Sequence, residues 1–277
     1  MVNQAVKMKT MEDNPHIAIV SINRPENYNS ITVEVLEELI AAAEKIAEDT
    51  SIRAVVLTGE GGYFSSGADF SLFASAMGER DTNQARIIGR KGSRACQAWE
   101  DLPQPTIAAI EGGVVGGGLA VAMACDWRVM ADNSYAYVPE VKVGVNFGWG
   151  SLPRLTNLVG GPKAKLMSIL CHKHKADECA DWGLADYVTD DCGAVDKALE
   201  ICFYALRMKR QQNTEWKPFR KYRINGSNYW EITLKHYCLV IFLIRKWLNI
   251  RIEPCFNPAA GSPAIKNFQM RWINVRK

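Results

Sequence analysis

The chain has 277 residues, of which 48% are hydrophobic and 23% charged, and its formal net charge at pH 7 is +3. This length and composition suit one large domain, or one domain with an appendage, and exclude disorder as a description of the whole molecule. The longest wholly apolar run, residues 238–244, is far shorter than the roughly 20 residues that a membrane-spanning helix needs. We therefore expect a globular protein that does not use a membrane as a partner.

Cysteine usage and the N-terminus predict a cytoplasmic location. The eight cysteines are scattered along the chain, and no Cys-x-x-Cys pair occurs. The N-terminus, beginning Met1-Val2-Asn3-Gln4, lacks the apolar stretch and the cleavage site of a secretion signal. Free thiols in a reducing compartment are therefore expected rather than disulfides.

Charge divides the chain near residue 200. Residues 201–277 contain 15 Lys and Arg against three acidic residues, whereas residues 1–200 are net acidic. Aromatic residues are also concentrated in the final quarter. We predict a core over residues 1–200 and a separate basic, aromatic C-terminal region over residues 201–277.

The first part of the core predicts a strand, a turn and a helix. The β-branched residues 17–22 are typical of a strand, which Asn23-Arg24-Pro25-Glu26-Asn27 closes as a turn. Thr32 can cap a helix in which apolar residues recur at helical spacing over residues 35–47.

The rest of the core continues this alternation. Strands are predicted at residues 53–57, 106–110, 127–130 and 135–138, and helices at residues 119–125, 162–170 and 176–182. Glycine-rich stretches follow the first two of these strands. Strands that alternate with helices predict an α/β layered core. Residues 237–250 show neither period, and no element is assigned there.

A first candidate segment for chemistry is Phe64-Ser65-Ser66-Gly67-Ala68-Asp69-Phe70, where a loop gives way to a helix. Its glycine permits a tight turn, after which the amides of Ala68 and Asp69 would be unpaired donors at the helix start. Such amides suit a developing oxyanion. For this segment alone, an ordinary capped helix start is the commoner interpretation.

Two further segments could carry chemistry. Gly116-Gly117-Gly118 lies at a strand-to-helix junction and would let a ligand approach the backbone. It is not a dinucleotide fingerprint, because Val121 takes the third glycine position, and no Gly-Lys-Ser/Thr follows it. In Val138-Pro139-Glu140 a carboxylate follows a strand, which suits general acid–base work, although a lone Glu is more often surface.

A metal site and a serine hydrolase are both disfavoured. Cys171-His172-Lys173-His174 with Cys179 matches no standard zinc spacing. No Gly-x-Ser-x-Gly pentapeptide occurs in the chain. We therefore expect no bound metal.

The order of several motifs is more specific than any one of them. These are Asn23-Arg24-Pro25, Ser66-Gly67-Ala68-Asp69, Gly116-Gly117-Gly118, Cys125-Asp126, Ala131-Asp132, Pro139-Glu140 with Gly144, and Gly183-Leu184-Ala185-Asp186-Tyr187-Val188. In this order, over about residues 15–195, the chain resembles the crotonase superfamily, also called the enoyl-CoA hydratase/isomerase family.

The resemblance implies an α/β fold in which a spiral of ββα turns forms two roughly perpendicular sheets, followed here by an atypical C-terminal segment. It implies an acyl-CoA thioester as the substrate and no separate cofactor, since coenzyme A is part of the substrate. A homotrimer or hexamer is expected if the C-terminal region is competent. Nucleic acid is not expected as a partner.

The resemblance also implies roles for particular residues. The backbone amides of Ala68 and Gly117 would hold the thioester oxygen while an enolate forms, and the chain at residues 26–29 would lie along the CoA. Phe147 and Trp149, the two aromatic residues after Glu140, would form an apolar wall of the site or, equally, pack in the core. The residues expected around the substrate are Glu26, Asn27, Tyr28, Ser66, Gly67, Asp69, Phe70, Gly116, Gly118, Ala120, Phe147 and Trp149.

One carboxylate limits the reaction that the resemblance implies. Family hydratases hold a water between two glutamates, but the first of these positions is Ala120 here and only the second, Glu140, is acidic. A single base can remove a proton and return it two carbons away, as in 3,2-enoyl-CoA isomerases. Isomerisation of 3-enoyl to 2-enoyl thioesters is therefore favoured, and a single-glutamate hydratase or lyase remains the alternative.

The C-terminal region has two interpretations. Basic and aromatic residues together can bind single-stranded nucleic acid, which would make the chain an inactive relative with an RNA-binding tail. The favoured hypothesis is a reading-frame change near residues 192–202, because the chain stops resembling the family at about residue 201.

Overall fold

Two sheets form the β-structure of the described part of the chain, which comprises residues 4–70, 72 and 82–212 of a computed structural model. The strands are β1 Val6–Met11, β2 Asn14–Ile22, β3 Ala54–Gly59, β4 Thr106–Ile110, β5 Gly113–Val115, β6 Trp127–Ala131, β7 Tyr135–Tyr137, β8 Lys173–Lys175 and β9 Tyr187–Thr189. The helices are α1 Val33–Glu48, α2 Thr82–Glu100, α3 Gly117–Ala122, α4 Ser151–Leu170, α5 Ala176–Asp181 and α6 Ala194–Gln212.

The larger sheet has six strands in the order β1-β2-β3-β4-β6-β9. The β1–β2 pair is antiparallel, and every later pair in this sheet is parallel. The smaller sheet has the order β5-β7-β8, with β5 and β7 parallel and β7 and β8 antiparallel. Parallel neighbours need crossover connections, which explains the helices between most strands.

Side chains alternate between the two faces of the larger sheet. Val55 and Leu57 of β3 enter a core with α1 and α2, whereas Ala54 and Val56 face a second core that α6 closes. Both faces are therefore covered, as expected for a parallel sheet. The prediction of an α/β layered core is confirmed.

Most predicted elements are present with shifted ends. The helix after Thr32 is α1, and the Thr32 hydroxyl accepts a hydrogen bond of 3.3 Å from the amide of Val35. Its buried face includes Ala42, whereas Ala47, which was expected there, is exposed. Helix α4 consists of two helical segments separated at Gly160, whose φ of 75° and ψ of 160° are not helical, and the second segment corresponds to the helix predicted at residues 162–170.

Six elements were missed by the sequence patterns, namely β1, β5, β8, β9, α2 and α6, and two of them are instructive. Strand β1 is a short edge strand with only one buried residue, so its alternation is weak. Helix α2 is rich in basic and polar residues, and its mean hydropathy is low. The alternation in β1 is therefore too weak to predict a strand, whereas α2 does have an apolar side at helical spacing that the sequence analysis overlooked among its polar residues.

The last described helix crosses the boundary predicted from charge. Helix α6 runs from Ala194 to Gln212, and Ala198, Cys202 and Ala205 on it are buried. The prediction that residues 201–277 form a separate region therefore concerns mainly residues 213–277, which lie outside the described residues. Within the described ranges, no helix is both long and apolar enough to cross a membrane.

Candidate active site

Three chain segments run side by side where the candidate residues lie. A parallel bridge joins Ser65 to Val114, and the amide of Val115 donates to the Ser65 carbonyl at 3.0 Å. On the other side, β5 pairs with β7, and the amide of Gly116 donates to the Tyr137 carbonyl at 2.9 Å. The residues that follow these strands therefore converge at one edge of the smaller sheet.

The amides of Ala68 and Gly117 lie close together at this edge. A Cβ added to Gly117 would lie 3.3 Å from the Ala68 nitrogen. Because N and Cβ of one residue are about 2.5 Å apart, the two nitrogens are separated by at most about 6 Å. One oxygen can accept from both at hydrogen-bonding distances of about 2.9 Å. Neither amide donates to an acceptor among the described residues.

Gly67 gives this corner its shape. Its φ of +94° is a conformation that residues with a Cβ rarely adopt, and an added Cβ would also lie 2.9 Å from the Val115 carbonyl oxygen. The segment can therefore approach the chain before Gly117 only with glycine here. The turn predicted from this glycine is confirmed.

Asp69 departs from its prediction. Its amide, expected to be an unpaired donor, donates to the Ile31 carbonyl at 2.8 Å, so only the amide of Ala68 remains available of the two. Its carboxylate accepts from the Ser30 hydroxyl at 2.7 Å and pairs with Arg24 at 3.3 Å. These contacts tie the loop at residues 24–30 to the segment that carries Ala68.

The carboxylate of Glu140 lies beside the same glycines. One of its oxygens, Oε1, is 2.5 Å from the position that a Cβ on Gly116 would take. The other, Oε2, is buried and has no hydrogen-bond partner in the part of the chain that the structure describes. Burial raises the pKa of this carboxyl from 4.5 to about 7. A base with a pKa near neutrality can both accept and return a proton.

A cavity of about 190 Å³ connects these groups. Its lining is mainly apolar, and Glu140 is the only ionisable residue in it among the described residues. The lining residues are Ser66, Gly67, Ala68, Phe70, Val115, Gly116, Gly117, Pro139, Glu140, Val143 and Val145. Three of them, Val115, Val143 and Val145, were not named from the sequence, although each lies within five residues of one that was.

The residues expected along the CoA form a loop next to this cavity. Glu26 and Asn27 lie in a short 3-10 helix, and Tyr28 follows it with a left-handed φ of 50°. The Ser66 amide donates to the Tyr28 carbonyl at 2.8 Å, which places the loop at the Ser66 end of the cavity. Tyr28 is 63% exposed and packs its ring edge-on to Tyr63.

Four other predicted residues lie behind the cavity rather than in its lining. Ala120 and Phe147 are buried in the main core. Gly118 lies against Ser65, because a Cβ on it would be 2.6 Å from the Ser65 Cβ. Trp149 is partly buried and lies beside Gly117. For Phe147, core packing is therefore the better description.

The residues once considered for zinc have other contacts. His174 is buried, and its Nδ1 lies 2.9 Å from the Glu178 carboxylate. Cys179 is buried too, and burial raises the pKa of its thiol to about 12. Across the described ranges, no three His, Cys, Asp or Glu side chains are placed to hold a metal ion.

Comparison with known proteins assigns the family. The model of the enoyl-CoA hydratase/isomerase family matches residues 12–217 of this chain. The chain belongs to that family. The recognition made from motif order is therefore confirmed, and the matched range contains every predicted site residue.

Relatives in the enoyl-CoA hydratase/isomerase family carry more than one activity in their names. The short-chain-enoyl-CoA hydratase of Clostridium acetobutylicum is 35% identical over 192 residues, which cover 69% of this chain and 72% of the relative. The mitochondrial Delta(3,5)-Delta(2,4)-dienoyl-CoA isomerase of Mus musculus is 32% identical over 188 residues, covering 65% of this chain and 58% of the relative.

A solved structure agrees with the fold. Enoyl-CoA hydratase from Bacillus anthracis is 31% identical and superposes with a TM-score of 0.68, over 73% of this chain and 77% of that one. The predicted crotonase-like fold class is confirmed. The family acts on acyl-CoA thioesters, so the cavity beside Ala68, Gly117 and Glu140 is the candidate active site.

The raised pKa of Glu140 predicts how stability depends on pH. The folded state favours the protonated carboxyl, so this contribution to stability is present below pH 4.5 and is lost as the pH rises through about 7. Glu140→Gln should therefore raise the free energy of unfolding at pH 8 by up to about 3 kcal/mol, and change it little at pH 5. Urea unfolding of both proteins at the two pH values measures the difference.

The exposed Glu44→Gln is the control for this comparison, since Glu44 lies on the outer face of α1. It should leave the free energy of unfolding unchanged at both pH values. An equal effect of Glu140→Gln at pH 5 and pH 8 would contradict a buried, protonated carboxyl.

Proposed function

We propose that this protein moves the double bond of enoyl-CoA thioesters from the 3 to the 2 position. The observation that supports it is one partly buried carboxylate, Glu140, which is the only ionisable group that the described residues contribute to the cavity beside the amides of Ala68 and Gly117. Such a site can stabilise an enolate and move one proton.

The two amides would act on the thioester oxygen. Removal of a proton from C2 of a 3-enoyl thioester moves charge onto this oxygen and gives a dienolate. Two fixed N–H donors in a largely apolar cavity favour that charge over the neutral substrate. Because the donors belong to the backbone, the methyl side chain of Ala68 takes no part in the chemistry.

Glu140 would carry the proton. As a carboxylate it accepts the proton from C2, and as a carboxylic acid it returns one to C4. The double bond then lies between C2 and C3, and the enzyme is back in its starting protonation state. A pKa of about 7 makes both transfers accessible near neutral pH.

Hydration by the two-glutamate mechanism would need more than this site offers. Adding water across a double bond requires a held water and two proton transfers, which family hydratases divide between two glutamates. The position of the first glutamate is Ala120, whose side chain is buried in the core. A single-glutamate hydratase remains the second candidate, favoured by the name of the Clostridium acetobutylicum relative.

A panel of thioesters separates the two candidates. The full chain is offered 3-enoyl-CoA and 2-enoyl-CoA thioesters of increasing length, and bond migration and hydration are both followed. Migration of the 3-enoyl bond without formation of a 3-hydroxyacyl product is expected. Hydration of the 2-enoyl thioesters faster than migration would overturn the proposal in favour of the hydratase.

Three further features stay predictions. They are the cytoplasmic location, assembly into a homotrimer or hexamer, and the absence of a cofactor other than the CoA of the substrate. Sedimentation of the full chain would measure the assembly.

A further inference from the structure

The indole of Trp149 is wedged between two glycines. A Cβ on Gly117 would lie 2.5 Å from Trp149 Cζ3 and 2.8 Å from its Cη2. On its other side the ring contacts Gly92 of α2, where an added Cβ would overlap the indole. Glycine at both positions makes room for the ring, which therefore separates α2 from the start of α3.

The backbone holds this ring in place. Trp149 has a left-handed φ of 57°, which a bulky residue adopts only when its surroundings impose it. Arg154 Nη1 donates to the carbonyls of Trp149 at 3.0 Å and Gly150 at 3.1 Å. Arg154 in turn pairs with Glu100 of α2 at 2.6 Å. The ring position is thus tied to the helix against which it packs.

The benzo edge of the indole lies near both candidate oxyanion donors. A Cβ on Gly117 would lie 2.5 Å from Cζ3. Because N and Cβ of one residue are about 2.5 Å apart, Cζ3 lies within about 5 Å of the Gly117 nitrogen. The same Cβ position is 3.3 Å from the Ala68 nitrogen, so Cζ3 also lies within about 6 Å of that nitrogen. The benzo edge is therefore near the position between these amides that a thioester oxygen would take.

The indole and the loop expected to carry the CoA contact different residues of the cavity lining. That loop joins the cavity at Ser66 through the hydrogen bond to Tyr28, whereas Trp149 contacts Gly117. The cavity lining includes Gly117 but not Trp149. Among the described residues, the indole therefore lies directly behind the Gly117 part of the cavity lining.

We propose that Trp149 closes the acyl end of the site and restricts the substrate to short acyl groups. This inference rests on the proposed binding of acyl-CoA thioesters at this site, but not on which reaction follows. Replacing the indole with a methyl group would extend the cavity past Gly117 toward Gly92, so longer chains would fit.

Binding of unreactive thioesters tests this directly. The affinities of butanoyl-, hexanoyl- and octanoyl-CoA are measured by calorimetry for the full-length protein, Trp149→Ala and Trp149→Phe. The native protein should bind butanoyl-CoA best. In Trp149→Ala the ratio of octanoyl to butanoyl affinity should rise by about 10- to 200-fold, as expected when a pocket gains room for added methylenes. Trp149→Phe should give an intermediate shift.

Trp182→Ala is the matched control. Trp182 is also a partly buried tryptophan beside the main core, but it packs against His174 and Lys163 rather than the cavity. It should leave the ratio unchanged, and a shift in this variant equal to that of Trp149→Ala would contradict a local wall.

The outcomes separate this inference from the proposed function. An unchanged chain-length ratio in both Trp149 variants, with circular dichroism like that of the native protein, overturns the inference even if bond migration occurs. A shifted ratio supports it even if the enzyme proves to be a hydratase. If no thioester binds to the native protein, the inference and the proposed function both fail.

Discussion

Replacing Glu140 with glutamine should lower kcat/KM for bond migration by about 10²- to 10⁴-fold, the usual contribution of a positioned acid–base group. The amide has nearly the size and shape of the protonated carboxyl, so the cavity beside Gly116 keeps its form. It cannot accept a proton from C2, however, and no other ionisable group lines the cavity among the described residues. Binding of acyl-CoA should change by no more than a few-fold.

The pH profile checks the same role independently. The base must be ionised to take the proton, so kcat/KM of the native enzyme should rise as the pH increases through about 7, the pKa to which burial raises Glu140. This rise should be absent from any residual activity of Glu140→Gln. Exchange of the C2 and C4 hydrogens with deuterated solvent follows the proton steps even where product does not accumulate.

Glu44→Gln provides the matched substitution for activity too, since this exposed carboxylate of α1 lies outside the cavity lining. It should leave kcat/KM unchanged. Hydrogen exchange that persists at the native rate in Glu140→Gln would remove Glu140 from the mechanism, whichever reaction the enzyme performs.

The order of motifs along the chain was sufficient to predict the fold class and the segments of the site. Glycines at 67 and 116–118 and a glutamate after Pro139 are local features, visible without any structure. What brings them together is pairing between distant strands, Ser65 with Val114 and Val115 with Tyr137. Composition and periodicity contain no information on such pairing, so convergence could be expected only from the family resemblance.

Details that depend on tertiary contacts were not predictable. The amide of Asp69 looks equivalent to that of Ala68 in the sequence, but the bridge between Ile31 and Ala68 uses it for a hydrogen bond. The burial that raises the pKa of Glu140 also depends on packing of separate elements. The position of Trp149 depends on Gly92, which lies on a helix that the sequence analysis did not assign.

The second large effect is expected from a single methyl group at Gly117. In Gly117→Ala the new Cβ would lie 3.3 Å from the Ala68 nitrogen and 2.5 Å from Trp149 Cζ3. It would therefore intrude on the space between the two amides where the thioester oxygen is proposed to bind. Loss of one donor to that oxygen lowers rates by about 10²- to 10³-fold, and a decrease of this size in kcat/KM is expected.

Two companion variants separate blocking of the oxyanion position from general damage. Gly148→Ala adds the same methyl group nearby, but among the described residues its Cβ would meet only the Asn146 carbonyl oxygen, at an ordinary 3.9 Å, so activity should stay near that of the native protein. Combining Gly117→Ala with Trp149→Ala removes the clash with the indole and leaves the methyl group beside Ala68. If the clash alone were responsible, activity would return in the double variant; if the oxyanion position is blocked, as we expect, the loss in kcat/KM persists while the native circular dichroism is retained.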